Sequence, residues 1–434
     1  MQKRESWNSH VGFILSSVGS AVGLGNIWRF PYVVGENGGG AFLVPYVIII
    51  VGFGLIFMII EFAVGRYHQT SILSCLIKTS KKFKMPGLFI VSVSFVILSY
   101  YLVVLGWILS YTIFILTGSF QDFESFTNSW LPVFSFVIVL GFSYGIVRRG
   151  ITRGIEKLNK IGIILLISLL IPLAIYGMSL PEADGGLKYY LTPDFSKLYE
   201  PSIWSTAFGQ VFFSLSLGLG ILVTYGSYLK EKKSLVTSSS IIVATNSMVS
   251  FVGGLMIFSI VFSFGMDPSA GPSLVFQVMP SIFSIMEFGT IIGVTFFLLL
   301  LIAGLTSAVS LFQVSVSTLE DHAGYSKSKS SSIIAVLLLI AGIFSALSYS
   351  SANLQLFGSP ILDLLDTYFG TYGLAISGIV FIVIITWFMD RRKILEQINL
   401  NSRIKIPDSA FSIIKFTFPA LVILSILFTI IVEN

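Results

Sequence analysis

One cysteine and three histidines are all that 434 residues offer by way of thiol and imidazole chemistry. Cys75 alone can form no internal disulfide and no cysteine-based metal cluster. His10, His68 and His322 are scattered near the edges of apolar runs, which argues against a metal site or a Ser-His-Asp device. No nucleophile–base pair stands out, so an enzyme is not expected. Charge is scarce as well. Asp, Glu, Lys and Arg make up 11% of the chain against about 25% in an average soluble protein. Hydrophobic residues reach 55%, more than a soluble chain of this size can hide. The polar start shows no cleavable signal pattern.

What is present is a series of apolar runs, each long enough to cross a bilayer. They fall near 11–35, 40–66, 87–118, 131–147, 161–179, 202–228, 239–264, 289–319, 332–348, 361–388 and 411–432, about eleven spans. The positive charges alternate between the loops. With the N-terminus inside, the cytoplasmic loops hold Lys78 to Lys84, Arg148 to Lys160, Lys230 and Lys233, Lys327 and Lys329, and Arg391 to Lys405. The other side holds only Lys188 and Lys197 among acids such as Asp122, Glu182, Asp194 and Glu200. This is the positive-inside pattern, and an odd span count puts the C-terminus outside. The net charge of +5 therefore reads as topology, with anionic-lipid contact as the alternative, and not as nucleic-acid binding.

The first span is not built merely to cross lipid. Ser16-Ser-Val-Gly-Ser-Ala-Val-Gly-Leu-Gly-Asn-Ile-Trp-Arg-Phe-Pro31 mixes three glycines with Asn26, Arg29 and Pro31 at membrane depth. Polar groups there need a partner or a cavity, and irregular backbone is tolerated only where protein or a site satisfies it. The sixth span repeats the oddity in Phe208-Gly-Gln-Val-Phe-Phe-Ser-Leu-Ser-Leu-Gly-Leu-Gly220. Paired interrupted helices in corresponding halves point to the substrate and ion site of a secondary transporter. Small-residue packing between continuous helices would explain the glycines but not Asn26, Arg29, Pro31 or Gln210 beside them.

Five separated motifs then carry a resemblance over nearly the whole chain. Ala21-Val-Gly-Leu-Gly-Asn-Ile-Trp-Arg-Phe-Pro31, Glu36-Asn-Gly-Gly-Gly-Ala-Phe with Glu61-Phe-Ala-Val-Gly-Arg66, Tyr100-Tyr101, Gln210 to Gly220, and Asn246 to Ser250 with Ala303-Gly-Leu-Thr-Ser307 resemble the signature of neurotransmitter:sodium symporters. The resemblance implies an all-α membrane protein with an inverted five-plus-five helix repeat and broken helices 1 and 6. Residues 1–180 would be the first repeat, 181–390 the second, and 391–434 a loop and helix 11. It also implies a plasma-membrane carrier similar to prokaryotic amino acid transporters such as the bacterial leucine transporter.

By that resemblance one sodium site uses Ala21, Asn26, Ser214 and Asn246, completed by the substrate carboxylate. A second uses carbonyls of Gly19, Val22 and Ala303 with the hydroxyls of Thr306 and Ser307. A Thr-Ser pair in isolation is more often bonded to its own helix. The seventh span, Ser238 to Phe264, contains no Asp or Glu. Two sodium ions in a low-dielectric site need a compensating anion, so a chloride is expected, and by resemblance to the chloride-dependent members of the family its donors would be Tyr46, Gln210, Ser214 and Ser250, with Asn246 nearby. Protonation elsewhere is the alternative. Gly23 stands where monoamine carriers place an Asp, leaving room for a ligand carboxylate near Leu24, Gly25 and Tyr101. Ile97, Phe213, Leu219, Ser307 and Leu311 would line an apolar pocket, with Ser216 at the amine end and Ala21 beside it. A hydrophobic amino acid is the expected substrate; another zwitterion, or a non-transporting sensor of the same fold, are the rivals. Arg29 and Asp366 would form the outer gate, and Arg4 and Asp321 with Trp7 and Tyr228 the inner one. Glu61 would cap broken-helix backbone, a proton-carrying role being its alternative.

Overall fold

The structure is a computed structural model, and it describes residues 4–119, 121–230, 233–268 and 274–433. Among the described residues, eight unbroken helices are long and apolar enough to cross a membrane. A ninth span is the bent pair His10–Ala21 and Gly25–Glu36, which meet at 50°. Pro201–Ser214 and Ile221–Gly226 form the sixth span, again in two pieces, and Asp408–Glu433 the last. Eleven expected spans thus have eleven counterparts. The fifth begins earlier than its apolar run suggested. It starts at Ile151, not near 161, because one turn of π-helix carries Arg153 and the basic Lys157 and Lys160 stay on the helix. The third starts at Lys81, not 87, for a similar reason.

The break in the first span follows from its residues. Val22 and Gly23 leave the helix, and the Asn26 carboxamide oxygen accepts the Gly23 N–H at 3.0 Å. The side chain thereby supplies an acceptor where the backbone ladder has stopped. Gln210 donates to the Gly25 carbonyl at 2.7 Å. Pro31 then sits in the first turn of the resumed α-helix, where its missing N–H costs nothing.

The sixth span breaks across Leu215–Gly220. Ser216, Gly218 and Gly220 all have positive φ, at 55°, 74° and 71°. Glycine reaches that region freely, but Ser216 does so only because its surroundings hold it there. Two serines from other spans satisfy the freed carbonyls. Ser377 donates to Gly218 at 2.5 Å, and Ser94 donates to Leu219 at 2.6 Å.

The third and eighth spans form the most extensive helix pair and run through the centre. Buried side chains from all spans close round them into one core. Val47, Ile48, Val51, Phe134, Phe142 and Ile164 point outward and are exposed, as residues that face lipid do. Short helices lie at the span ends: Ile72–Thr79, Ala183–Leu191, Leu274–Ile285 and Arg391–Asn399. A small hairpin pairs Gln355–Leu356 with Ser359–Pro360.

Candidate functional site

The two broken spans cross side by side, and their loose ends face each other. Around them the residues assigned to the first sodium site converge. All of Ala21, Asn26, Ser214 and Asn246 are buried. The Asn246 carboxamide oxygen lies 2.8 Å from Asn26 Nδ2 and 3.1 Å from the carbonyl oxygens of both Ala21 and Ser214. Three oxygens at that separation repel unless a hydrogen or a cation lies between them. Turning the carboxamide over would supply N–H groups; a cation would supply charge with the oxygen left in place.

Next to this cluster, hydroxyls gather without acceptors. The buried Tyr46 hydroxyl faces Ser214, Ser247 and Ser250 and makes no hydrogen bond of normal geometry. Ser250 Oγ accepts from Asn26 Nδ2 at 2.7 Å, so its own proton is free to donate. Asn246 Nδ2 reaches Ser214 Oγ at 3.5 Å. Gln210, the fourth expected donor, spends its amide on Gly25 and accepts weakly from Arg29 at 3.4 Å. The Tyr46 hydroxyl without a partner and the Ser250 proton left to donate suit an anion better than a cation.

The second expected sodium site joins the first and eighth spans. Ser307 Oγ donates to the carbonyls of Gly19 and Ser20 at 3.4 and 3.1 Å. Thr306 Oγ1 bonds back to Ala303 and Ile302 of its own helix, at 2.8 and 3.2 Å. The back-bonded arrangement thus holds for Thr306, while Ser307 is turned toward the broken helix. Val22, at the end of the first half-helix, is buried with Gly19 and Ala303 close by.

Above the break, the Leu24 N–H points at the Tyr101 hydroxyl at 3.5 Å. A Cβ on Gly23 would come within 2.5 Å of Ser307 Oγ and 3.3 Å of the Tyr101 hydroxyl. A Cβ on Gly25 would meet the Phe213 ring at 2.7 Å. Only glycine leaves this space open. Ser216 Oγ donates to the Ser20 carbonyl at 3.1 Å. Deep as they are, Ile97, Tyr101, Ser216, Leu219, Ser307 and Leu311 keep 3–8% exposure, while Leu98, Leu102 and Ala303 beside them have none. Of these, Tyr101 lines the cavity that opens beside the break.

A small cavity of about 80 Å³ continues from Leu24, Tyr101 and Phe213 toward the acidic loops. Arg29 and Asp366 both line it. The direct ion pair expected between them is not formed: among the described residues no Arg29–Asp366 contact falls within salt-bridge distance. Arg29 lies over the Phe213 ring at 5.0 Å and Asp366 faces the Tyr100 hydroxyl, so each charge is held on its own wall. The opposite end is shut. Arg4 donates to Asp321 at 2.7 Å and to Ser227 at 2.7 Å, and covers the Tyr228 ring at 4.8 Å. Trp7 donates to the Tyr225 carbonyl at 3.0 Å and meets the Tyr228 ring edge-on at 6.2 Å. Asp321 also accepts from the Ser71 N–H. Glu61, fully buried, faces the Gly218 amide in the unwound turn of the sixth span.

Ser94, Ser377, Tyr100 and Ser247 join the site without having been expected there. Serines that bond back to their own helix abound in this chain, and nothing local separates these from the rest.

This architecture, with two broken helices enclosing a polar centre in an apolar bundle, is that of a secondary transporter. A sequence profile of the sodium:neurotransmitter symporter family matches residues 4–133 and 121–434. An uncharacterized sodium-dependent transporter of Methanocaldococcus jannaschii is 39% identical over 430 residues, covering 93% of this chain and 86% of that one. The human sodium- and chloride-dependent taurine transporter is 30% identical, covering 74% of this chain and 61% of its own. The crystal structure of MhsT in complex with L-phenylalanine superposes with a TM-score of 0.88 at 36% identity, over 98% of this chain and 99% of that one. The chain belongs to the sodium:neurotransmitter symporter family. It is a multi-pass membrane transporter that depends on sodium, and not an enzyme.

Proposed function

We propose that the protein imports hydrophobic L-amino acids with two sodium ions and one chloride, by alternating access. One observation carries the substrate class: Gly23 leaves space beside the Leu24 N–H and the Tyr101 hydroxyl, next to a cavity walled by Leu24, Val104 and Phe213, and we take Ile97, Leu219 and Leu311 as the further apolar walls. The N–H of Leu24 and the Tyr101 hydroxyl suit a carboxylate. The carbonyl of Ser20, which Ser216 and Ser307 share, suits an ammonium. None of these walls carries a charge, so a charged side chain would enter without a partner. MhsT, which resembles this chain so broadly, was crystallised with L-phenylalanine.

The buried carbonyls of Ala21 and Ser214, with the carboxamides of Asn26 and Asn246 beside them, support a first sodium, to which the bound carboxylate adds a ligand. That shared contact makes substrate and ion stabilise each other. Gly19, Val22, Ala303, Thr306 and Ser307 support a second. The unpartnered Tyr46 hydroxyl, with the Ser214 and Ser250 hydroxyls beside it, supports chloride, which offsets the sodium charge that the seventh span leaves uncompensated. The basic loops face the cytoplasm in this reading, with the N-terminus inside, the C-terminus outside and the protein in the plasma membrane. The closed Arg4–Asp321 side is then the inner gate, and Arg29 and Asp366 close the outer one by approaching across their cavity. The first, second, sixth and seventh spans rock against the rest, within the repeats 1–180 and 181–390.

The taurine transporters among the relatives favour a second reading, a smaller zwitterion with a sulfonate. Uptake of radiolabelled leucine, phenylalanine and taurine into proteoliposomes, with sodium and chloride gradients imposed separately, decides between them. Sodium-driven accumulation of leucine or phenylalanine is expected, with an additional requirement for chloride. Accumulation of taurine alone would replace the substrate assignment. Uptake unchanged when gluconate replaces chloride would remove the anion.

A further inference from the structure

A polar group that the proposed mechanism does not use lies against the second ion site. Asn159, on the fifth span, is fully buried. Its Nδ2 donates to the Ile155 carbonyl at 2.8 Å. That bond fixes which way round the carboxamide sits, since only the nitrogen end can donate. The oxygen end is therefore the one that faces inward, and it has no hydrogen-bond partner. It lies directly against Gly19 of the first span: a Cβ there would overlap Oδ1 itself and come within 3.3 Å of the Thr306 Cβ. One turn on, a Cβ at Gly162 would meet the Thr306 methyl at 3.2 Å. Three helices thus meet at Gly19, Thr306 and Asn159, and the third brings a bare amide oxygen.

The neighbouring carboxylate is already committed. Glu156, one turn away on the same span, pairs with Lys160 at 2.7 Å and accepts the Asn8 N–H at 2.8 Å. Asn159 Oδ1 is left without a hydrogen bond, and it is the unpartnered oxygen that lies against Gly19. A buried amide oxygen that nothing hydrogen-bonds is a hard, neutral ligand of the kind sodium takes.

We propose that Asn159 Oδ1 is an oxygen donor to the second sodium, so that this site draws on the fifth span as well as the first and eighth. The assignment rests on the sodium-symport reading above. The ion then ties a third helix to the broken one, and the fifth span must let go of the ion before it can leave toward the basic face.

The test is sodium binding to the purified full-length protein, measured with radioactive sodium, together with the sodium concentration that half-saturates amino acid uptake. Asn159→Ala should raise the sodium dissociation constant and the half-saturating sodium concentration by about tenfold, as loss of a contact to a metal site commonly does. Asn159→Asp, which keeps the oxygen and adds charge, should restore wild-type affinity or exceed it, and Asn159→Leu, which keeps the volume without the oxygen, should behave like alanine. Wild-type sodium affinity in Asn159→Ala or Asn159→Leu would overturn the assignment. So would an equal loss in all three variants with a parallel fall in thermal stability, because that pattern marks packing alone. If the wild-type protein itself bound no sodium, the symport reading would fail first, before any variant was compared.

Discussion

Tyr101 shows how much a single hydroxyl is asked to do. It stands 3.5 Å from the Leu24 N–H with the open space of Gly23 between it and Ser307. In the proposed complex it donates to the substrate carboxylate. A hydrogen bond to a charged group contributes about 1.5–3 kcal/mol, so Tyr101→Phe should raise the half-saturating amino acid concentration ten- to hundredfold. Sodium affinity without substrate should change little; an equal loss there would mean that the ring, not the hydroxyl, matters. Ser250 allows a sharper test. Ser250→Glu places a fixed carboxylate among the hydroxyls of Tyr46 and Ser214. If chloride serves as the counter-charge, uptake by this variant should continue in gluconate, where the wild type should stop. Much at this scale was legible from sequence, because Gly23, Asn26 and Asn246 are costly in a membrane unless something uses them. Ser94 and Ser377 were not legible. Their value lies in which foreign carbonyl they meet, and a serine in an apolar run carries no mark of that.

At the scale of helices, the breaks could be read and the short connections could not. Glycine, proline and asparagine at membrane depth announce a break in the first span, and glycines near Gln210 announce one in the sixth. Leu274–Ile285 is apolar but too short to span, and Arg391–Asn399 is short and amphipathic, so neither stood out as a span. Yet they hold the ends together. Phe276 of the former packs against Trp28, Trp107 and Tyr111. Gln397 of the latter is gripped by the Arg66 guanidinium, which also donates to the Lys233 carbonyl at 2.7 Å. The outer ion pair is not formed in this conformation, although both charges line one cavity. Opposite charges in one vestibule suggest contact, but Phe213 gives Arg29 a nearer surface. The inner pair is made, and it can be tested. A half-exposed ion pair contributes about 0–1 kcal/mol alone. Arg4 adds a bond to Ser227 and the Tyr228 ring. Arg4→Ala should therefore loosen the closed end by about 1 kcal/mol, a roughly fivefold shift in population. In a Cys75→Ser background, a cysteine placed at Ser310, a buried residue whose hydroxyl lies 2.6 Å from that of Tyr225 beside Trp7, should react about that much faster with a membrane-impermeant thiol reagent from the basic side. An unchanged rate would mean that Trp7 and Tyr228 close the path by themselves.

Across the whole molecule, the small number of charges becomes the argument. A chain with so little fixed charge in its centre must balance what it carries with what it binds. Two sodium ions, one chloride and a zwitterion move one net positive charge inward per cycle. An inside-negative potential draws that charge in, and each charge moved through 100 mV gains about 2.3 kcal/mol. Imposing 100 mV with a potassium gradient and an ionophore should therefore raise the steady accumulation of amino acid by roughly fiftyfold. If chloride only occupies its site and is not carried, two charges move, and the same potential contributes about 4.6 kcal/mol, more than a thousandfold. In Ser250→Glu the counter-charge is part of the protein and stays behind when sodium leaves. That variant should show the steeper voltage dependence even if the wild type shows the shallower one. Equal slopes in the two proteins would mean that chloride, where it binds, stays put through the cycle.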